Sequence, residues 1–405
     1  MKVEEQISEE PNPENLWRLE TPGHAGWKRT ARAGDPNKYF ILSADCHANE
    51  PFDLWEKRID AKYRDRLPRV VVDEAGQQWR KVEGYRPDKL RVTTFTGEDK
   101  LRSKAGADPE QRLRDHQRDG IDVELIFPNK GLAMWATPDP VFSNAMCRIW
   151  NDWAWETFAP YKDTMITVAS LAPGDLEGTL AEVRRVAKMG FKALTLPTKP
   201  IWGPANIDEL NYNLPEFDPL WAEIQEAGLP ITFHIGTGRD PRSARGHGGA
   251  VINMTAHTLV QCLEPVSTLC SSGVLERFPG LKFATVEAGI GWIPWMIEAM
   301  DEAYLKHHMW TRPKLKNLPS ELFRRQGFAT FQEDSSGLDL AESHNLVDNF
   351  MWANDYPHHE GTWPHSAQAI ERTMGGLKEE SRAKILGLNA ARFLNIDVPS
   401  LQTVY

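Results

Sequence analysis

Residues 218–234 read DPLWAEIQEAGLPITFH. Asp218–Ala227 carries a helical pattern, Gly228 stands where a helix C-cap hands over, and Pro230–His234 is a short apolar run ending on a histidine. The same unit recurs along the chain. Further strand candidates are Tyr39–Asp45 (YFILSAD), Val123–Phe127 (VELIF), Met165–Ala169 (MITVA), Phe191–Leu196 (FKALTL), Lys282–Glu287 (KFATVE), Gly327–Phe331 (GFATF) and Asn349–Ala353 (NFMWA). Near-continuous apolar character over such runs is what parallel strands covered on both faces display. Helical patterns lie between them at Val141–Phe158, Leu176–Met189, Thr255–Ser272 and Pro294–His307, and Gly120, Gly190 and Gly280 repeat the cap position of Gly228. Eight strand–helix units predict an α/β fold, a (β/α)8 TIM barrel. A doubly wound open sheet competes less well, because no glycine-rich dinucleotide fingerprint follows the first strand.

The 405 residues suit one large barrel with additions. Residues 1–37 read as an N-terminal arm, 38–396 as the barrel and 397–405 as a C-terminal tail. Within the barrel, residues 52–117 are too long for one helix and read as an insertion over the active face, with a hairpin in RVVVDEAGQQWRKVEG (69–84). Lys and Arg total 47 against 57 Asp and Glu, a net charge of −10, which argues against a nucleic-acid partner. No apolar run approaches the roughly 20 residues that cross a bilayer, so no membrane partner is expected. The acidic opening MKVEEQISEEPNPEN is unlike a secretory signal, and four cysteines without a CxxC make no disulfide framework. The expected compartment is the cytoplasm.

In a barrel of this type the reactive groups sit at the C-terminal ends of the strands. The first strand runs into Asp45-Cys46-His47, the fifth ends at His234, the sixth at Glu287, and the eighth leads into Asn354-Asp355-Tyr356-Pro357-His358-His359. Asp45 and His47 are two apart, so an extended segment projects both to one side. Each residue alone has a plainer account: His234 as a core histidine, Asp355 as a helix cap, Glu287 as an arginine's partner. Their coincidence with four strand ends favours a mixed nitrogen and oxygen set for a divalent metal such as Zn, Mn or Fe.

The resemblance appears at these same residues. ILSADCHANEPFDLW, DGIDVELIFPN, GFKALTLP, DPLWAEIQEAGLPITFHIGTG, GVLERFPGLKFATVEAGIGWIPWMIEAMDE, MWANDYPHHEGTWPHS and ILGLNAARFLNI together resemble the amidohydrolase-related branch of the metal-dependent hydrolase superfamily. That branch includes aminocarboxymuconate semialdehyde decarboxylase. The likeness covers residues 39–396 and implies the same barrel. It places the acid-x-His pair on Asp45 and His47, the fifth-strand ligand on His234 and the eighth-strand acid on Asp355. One departure stands out: decarboxylase members carry a histidine at the end of the sixth strand, where this chain has Glu287. With His358 and His359 after the DYP, the pattern is also similar to dinuclear Fe or Mn barrel oxygenases such as 2-aminoisobutyrate hydroxylase. In that arrangement one metal takes Asp45, His47, His234 and Asp355, and a second metal ion takes Glu287 with His358 or His359.

The leading expectation is a metal-dependent hydrolase or carbon–carbon lyase of the non-oxidative decarboxylase type, acting on a small carboxylate-bearing substrate, with Asp355 or Glu287 moving the proton. The alternative is a dinuclear monooxygenase, or a supporting subunit of one. Arg239, with Arg242 and Arg245 in GTGRDPRSARGHGG, is a candidate to hold a substrate carboxylate, against a merely solvated loop. His257 and His359 are further substrate-binding candidates, His257 having a buried helical histidine as its plainer account. Cys46 should point away from its neighbours and pack. The aromatic-rich GIGWIPWMIEAMDEAYLKHHMW suggests a homodimer, or a hetero-oligomer with a related subunit.

Overall fold

The computed structural model describes residue 14 and residues 39–83, 87–90, 96–102, 105–106, 108–200, 210–238, 244, 246–307 and 314–398. The expected arm therefore lies outside the described residues apart from Glu14, as do residues 399–405 of the tail. Eleven strands are described: β1 Leu42–His47, β2 Arg69–Val72, β3 Gln78–Lys81, β4 Asp88–Lys89, β5 Val123–Phe127, β6 Met165–Ser170, β7 Ala193–Leu196, β8 Ile231–His234, β9 Phe283–Val286, β10 Gly327–Phe331 and β11 Phe350–Trp352. Eight of them form one sheet in the order β1-β5-β6-β7-β8-β9-β10-β11, every pairing parallel. The ends of that sheet meet through a bridge between Cys46 and Tyr356, where the His47 amide donates to the Tyr356 carbonyl at 2.7 Å. The fold is the (β/α)8 barrel. No helix among the described residues is long and apolar enough to cross a membrane.

The two faces of each strand bury different partners. Leu42, Ala44, Leu125, Phe127, Val168, Ala193, Ala284, Val286, Phe328 and Met351 fill the lumen, floored by Ala390, Phe393 and Leu394 of the last helix. Leu194, Leu196, Ile231, Phe233, Phe283 and Phe331 face outward against helical Val183, Trp221, Leu269 and Ile297. Covering both faces is why these strands read as continuous apolar runs. Gly120, Gly190 and Gly228 close their helices at φ 81, 104 and 66°, the left-handed conformation that glycine adopts without strain.

Several boundaries differ from expectation. β1 starts at Leu42 and ends at His47, so Asp45 and His47 lie inside the strand rather than at and beyond its end. The expected helix Thr255–Ser272 is broken: a π-helical turn spans Asn253–Thr258, a tighter turn Leu259–Cys262, and regular helix resumes only at Leu263–Ser271. Gly280 is no C-cap; it sits in a turn with its amide on the Gln225 side-chain oxygen at 2.8 Å. The hairpin in residues 69–84 is present as β2 and β3, joined by β4. Farther along the same segment, Arg102 donates to the carbonyls of His359 and Gly361, at 2.6 and 3.1 Å, on the loop after β11.

That loop is held by backbone proximity. A Cβ at position 361 would lie 2.3 Å from the Asn354 carbonyl oxygen and 2.9 Å from that of Asp355. Neither is a flexible side chain that could give way. Gly361→Ala is expected to cost about 1–3 kcal/mol, the range for forced overpacking, and to lower Tm accordingly. An unchanged melting curve would show that the loop can yield.

Candidate metal centre

The side chains expected at the barrel mouth reach it by two backbone devices. Leu42 and Ala44 face the lumen, so simple alternation would send Asp45 and His47 outward. Between Ser43 and Cys46 the register against β5 slips by one residue, and this bulge turns Asp45 and His47 inward. Cys46 then faces out, packed among Ala105, Tyr356 and Trp363, as expected for a packing residue. At β9, Val286 faces the lumen and Glu287 would follow outward. Glu287 instead takes φ 59°, its amide bound to the Thr330 hydroxyl at 2.9 Å, which swings its carboxylate to the mouth. Asp355 is likewise left-handed at φ 53°, its amide on the Asp45 carbonyl at 3.1 Å. Left-handed backbone at bulky side chains is a strained choice that persists where surroundings enforce it.

Six of the expected residues meet. Asp45, His47, His234 and Asp355 are fully buried, and the two imidazole Nε2 atoms lie 3.2 Å apart. Around them, Asp45 Oδ1 is 3.5 Å from each Nε2, Glu287 Oε2 is 3.3 Å from that of His234, and Asp355 Oδ1 is 3.4 Å from that of His47. His358 stacks on His47 with centroids 4.0 Å apart and sets Nδ1 3.0 Å from Asp355 Oδ1. Donor atoms within reach of one ion form two overlapping groups, Asp45–His47–His234–Glu287 and His47–Glu287–Asp355–His358. Glu287 stands in both groups: it joins Asp45, His47 and His234, and it keeps the expected company of His358, while Asp355 falls in the second group rather than the first.

With both imidazoles neutral and the carboxylates ionised, as around a bound cation, the site is an acceptor-only cluster. His47 Nδ1 lies 2.9 Å from the Pro128 carbonyl and His234 Nδ1 2.8 Å from that of Ile235, so both Nδ1 atoms carry the hydrogen and both Nε2 lone pairs point inward. Neither oxygen of Asp45 and not Oδ1 of Asp355 has a well-directed hydrogen bond. Burial, helped by His358 and His234, pushes the His47 pKa well below the ordinary range. Burial opposes a charge on His234, yet Asp45 and Glu287 beside it raise its pKa to about 9. Burial and neighbouring carboxylates push Glu287 and Asp355 well above the usual carboxylate range. Lone pairs converging in a dry volume call for positive charge, and imidazole plus carboxylate donors fit a divalent ion of the Zn, Mn or Fe kind.

The remaining candidates are placed differently. His359 points to solvent, its side chain 64% exposed beside Glu360, and the structure does not bring it to the cluster. His257 is half-buried on the π-helical turn, Nδ1 3.0 Å from Asn253 Oδ1, and is not among the grouped donors. Arg239, with Arg242 and Arg245, lies outside the described residues.

Sequence reasoning missed Gln332, which donates to Asp355 Oδ2 at 2.9 Å from directly after β10. It also missed a third grouping, Cys46, His116 and Glu124. Arg112 already occupies both oxygens of that glutamate, so the group holds its cation as a side chain. Removing one partner of such a buried pair costs about 3–5 kcal/mol. The signal was available in QRLRDHQRD, where charged or polar Arg112, Asp115, His116 and Asp119 take the spacing of a buried helical face.

Replacing His234 by Ala removes one inward lone pair from the inner group of four. The variant is expected to lose bound divalent metal, read by elemental analysis of the purified protein. Metal content equal to wild type would exclude β8 from the centre.

The sequence model of the amidohydrolase family matches residues 44–396. The gamma-resorcylate decarboxylase of Rhodococcus jostii (strain RHA1) is 24% identical over 315 residues, 74% of this chain and 91% of its own length. That of Rhizobium sp. (strain MTP-10005) is 23% identical over 296 residues, 71% of this chain and 87% of its own. Among solved structures, an amidohydrolase from Mycobacterium avium subsp. paratuberculosis K-10 superposes with a TM-score of 0.69 at 18% identity, over 89% of this chain and 99% of its own. A dihydroxybenzoic acid decarboxylase from Polaromonas sp. JS666, solved with manganese and the inhibitor 2-nitroresorcinol, superposes at 0.61 and 18% identity, over 88% of this chain and 97% of its own. The family match runs from inside β1 to the end of the barrel, and the chain belongs to the amidohydrolase family.

Proposed function

We propose that the protein is a divalent-metal-dependent, non-oxidative decarboxylase of a small aromatic carboxylate bearing a hydroxyl beside the carboxylate. The observation that carries this reading is the buried, acceptor-only cluster at the strand ends. The curated relatives are decarboxylases matched over 87–91% of their length, which supports the lyase over the hydrolase. They equally favour it over the dinuclear monooxygenase.

In this reading Asp45, His47, His234 and Glu287 hold the ion, with Asp355 and His358 beside it. A bound divalent ion stabilises negative charge on the substrate's carboxylate and adjacent phenolic oxygen. Phe127, whose ring lies 5.2 Å from His234 and 6.3 Å from His47, makes an apolar floor for an aromatic ring. Asp355 delivers a proton to the ring carbon that carries the carboxylate. The carbon–carbon bond then breaks, its electron pair restores the aromatic ring, and carbon dioxide leaves. His358, in contact with Asp355 and partly exposed, returns the proton from solvent. Gln332 holds the other oxygen of Asp355 and keeps its acid oxygen turned to the ring.

We infer further that the insertion 52–117 walls the mouth, supported by the Arg102 contacts to the loop after β11. We also infer a cytoplasmic enzyme that assembles as a dimer or with a related subunit. Trp295 and Leu305, 62% and 58% exposed on the helix Ile293–Lys306, support that face.

Manganese-loaded protein should release carbon dioxide from 2,6-dihydroxybenzoate or a related hydroxybenzoate. No turnover of any such acid by metal-loaded enzyme would sink the assignment. Asp355→Asn should lower kcat by about 10²–10⁴-fold, the range for a general acid, while retaining metal; full activity would remove Asp355 from proton transfer. Glu287→Gln weakens an anionic ligand but should leave saturation at one ion per chain. A fall from two ions in wild type to one in the variant would instead establish the dinuclear centre.

A further inference from the structure

Behind the metal centre, on the outer side of β1, the helix Pro109–Asp119 presents a stripe of ionic groups where an apolar one is usual. Arg112, Asp115, His116 and Asp119 are all buried. Each reaches a segment that carries a proposed ligand. Arg112 Nη1 donates to the His47 carbonyl at 2.7 Å, and its other nitrogens bind Glu124 on β5. Asp115 accepts from the Tyr356 hydroxyl, which in turn accepts from the Gly106 amide. Asp119 accepts from Asn354 Nδ2, at 3.3 Å, and from the amide and hydroxyl of Ser366. None of these groups touches the lumen of the barrel.

We propose that Arg112 is a positioning residue of the metal centre: locked by Glu124, it clamps the His47 carbonyl and so fixes where the bulged end of β1 aims His47. The proposal rests on the metal-centre reading above. The bulge frees β1 from its regular ladder between Ser43 and Cys46, and the meeting of β1 with β11 is a single bridge rather than a paired strand. Beyond the bulge the ladder resumes with His47 opposite Phe127 and the Ala48 amide on the Phe127 carbonyl at 2.9 Å, so paired strand holds His47 from the β5 side, while on the β11 side it has the single bridge. A guanidinium supplies what the seam lacks. Two of its donors are fixed in plane by the carboxylate, so the remaining one is aimed without rotational freedom. Tyr356 lies under the same guanidinium, 4.9 Å from ring centroid to Cζ, which couples the β11 loop to it. Groups that orient ligands from outside typically change metal affinity by about 10–100-fold when altered.

Arg112→Lys keeps the charge but offers one flexible ammonium, which can satisfy Glu124 or His47 but not both in a plane. Its affinity for manganese, measured by chelator competition, should fall about 10–100-fold, and the visible absorption of the cobalt-loaded protein should change shape or intensity. His116 Nε2 also lies 2.8 Å from Glu124, so the triple variant R112M/H116L/E124L removes the whole buried ionic group together, a replacement that is often neutral for stability; it should keep its Tm within a few degrees yet bind manganese with the same weakening. Leu220→Ala, in the outer core away from the seam, serves as the control for stability loss alone and should bind as wild type does. Wild-type affinity and cobalt spectrum in whichever Arg112 variant folds would overturn the positioning role. Equal weakening in Leu220→Ala would overturn it too, by making the effect general instability. Wild-type protein that takes up no divalent ion would instead overturn the metal centre, and the positioning role with it.

Discussion

Two imidazoles whose Nδ1 hydrogens go to backbone carbonyls turn both Nε2 atoms inward, and His47 and His234 face one another at 3.2 Å inside a ring of carboxylates. Such a volume demands positive charge, as a bound divalent ion or, without one, as protons on His234, Glu287 and Asp355. The barrel is arranged around that demand. Its lumen is apolar below the cluster, so the carboxylates see little water to screen them. The raised pKa values of Glu287 and Asp355 and the split behaviour of the two histidines are consequences of the same crowding.

The backbone is bent to bring the acceptors together. A regular β1 would have turned Asp45 and His47 into the outer core, and a regular exit from β9 would have done the same to Glu287. One inserted residue and two left-handed carboxylate residues reverse those outcomes. Distortions of this kind cost conformational energy and occur where a site over-determines the chain. The outer side of the seam is correspondingly polar. The buried ionic face of the helix Pro109–Asp119 anchors the backbone that the distortions have taken out of regular pairing.

These features bear on chemistry through geometry. A ring of fixed acceptors places an ion without reorganisation, which is the condition under which electrostatic stabilisation of a developing anion is most effective. Asp355 occupies an intermediate position. Gln332 holds one of its oxygens, while the other faces His47 and His358. In the proposed reaction that arrangement leaves one carboxyl oxygen both near the ion's site and able to exchange a proton.

Much of this was legible in the chain itself. Burial on two faces makes parallel strands continuous apolar runs, so VELIF and GFATF were bounded correctly by residue type alone, and the strand ends carried the donor residues. The resemblance to the amidohydrolase motifs implied a ligand set of Asp45, His47, His234 and Asp355. Tertiary structure decided the rest. The bulge, the left-handed turns and the grouping of Glu287 with Asp45, His47 and His234 depend on neighbouring strands and hydroxyls distant in sequence, such as Thr330. His358 and His359 are adjacent and chemically identical in the sequence; only the turn after β11 stacks one on His47 and sends the other to solvent. The ionic stripe of Arg112, Asp115, His116 and Asp119 shows its helical spacing in the sequence, but its burial is set by the fold. Its partners, Glu124, Tyr356 and Asn354, are supplied by strands that only folding brings alongside.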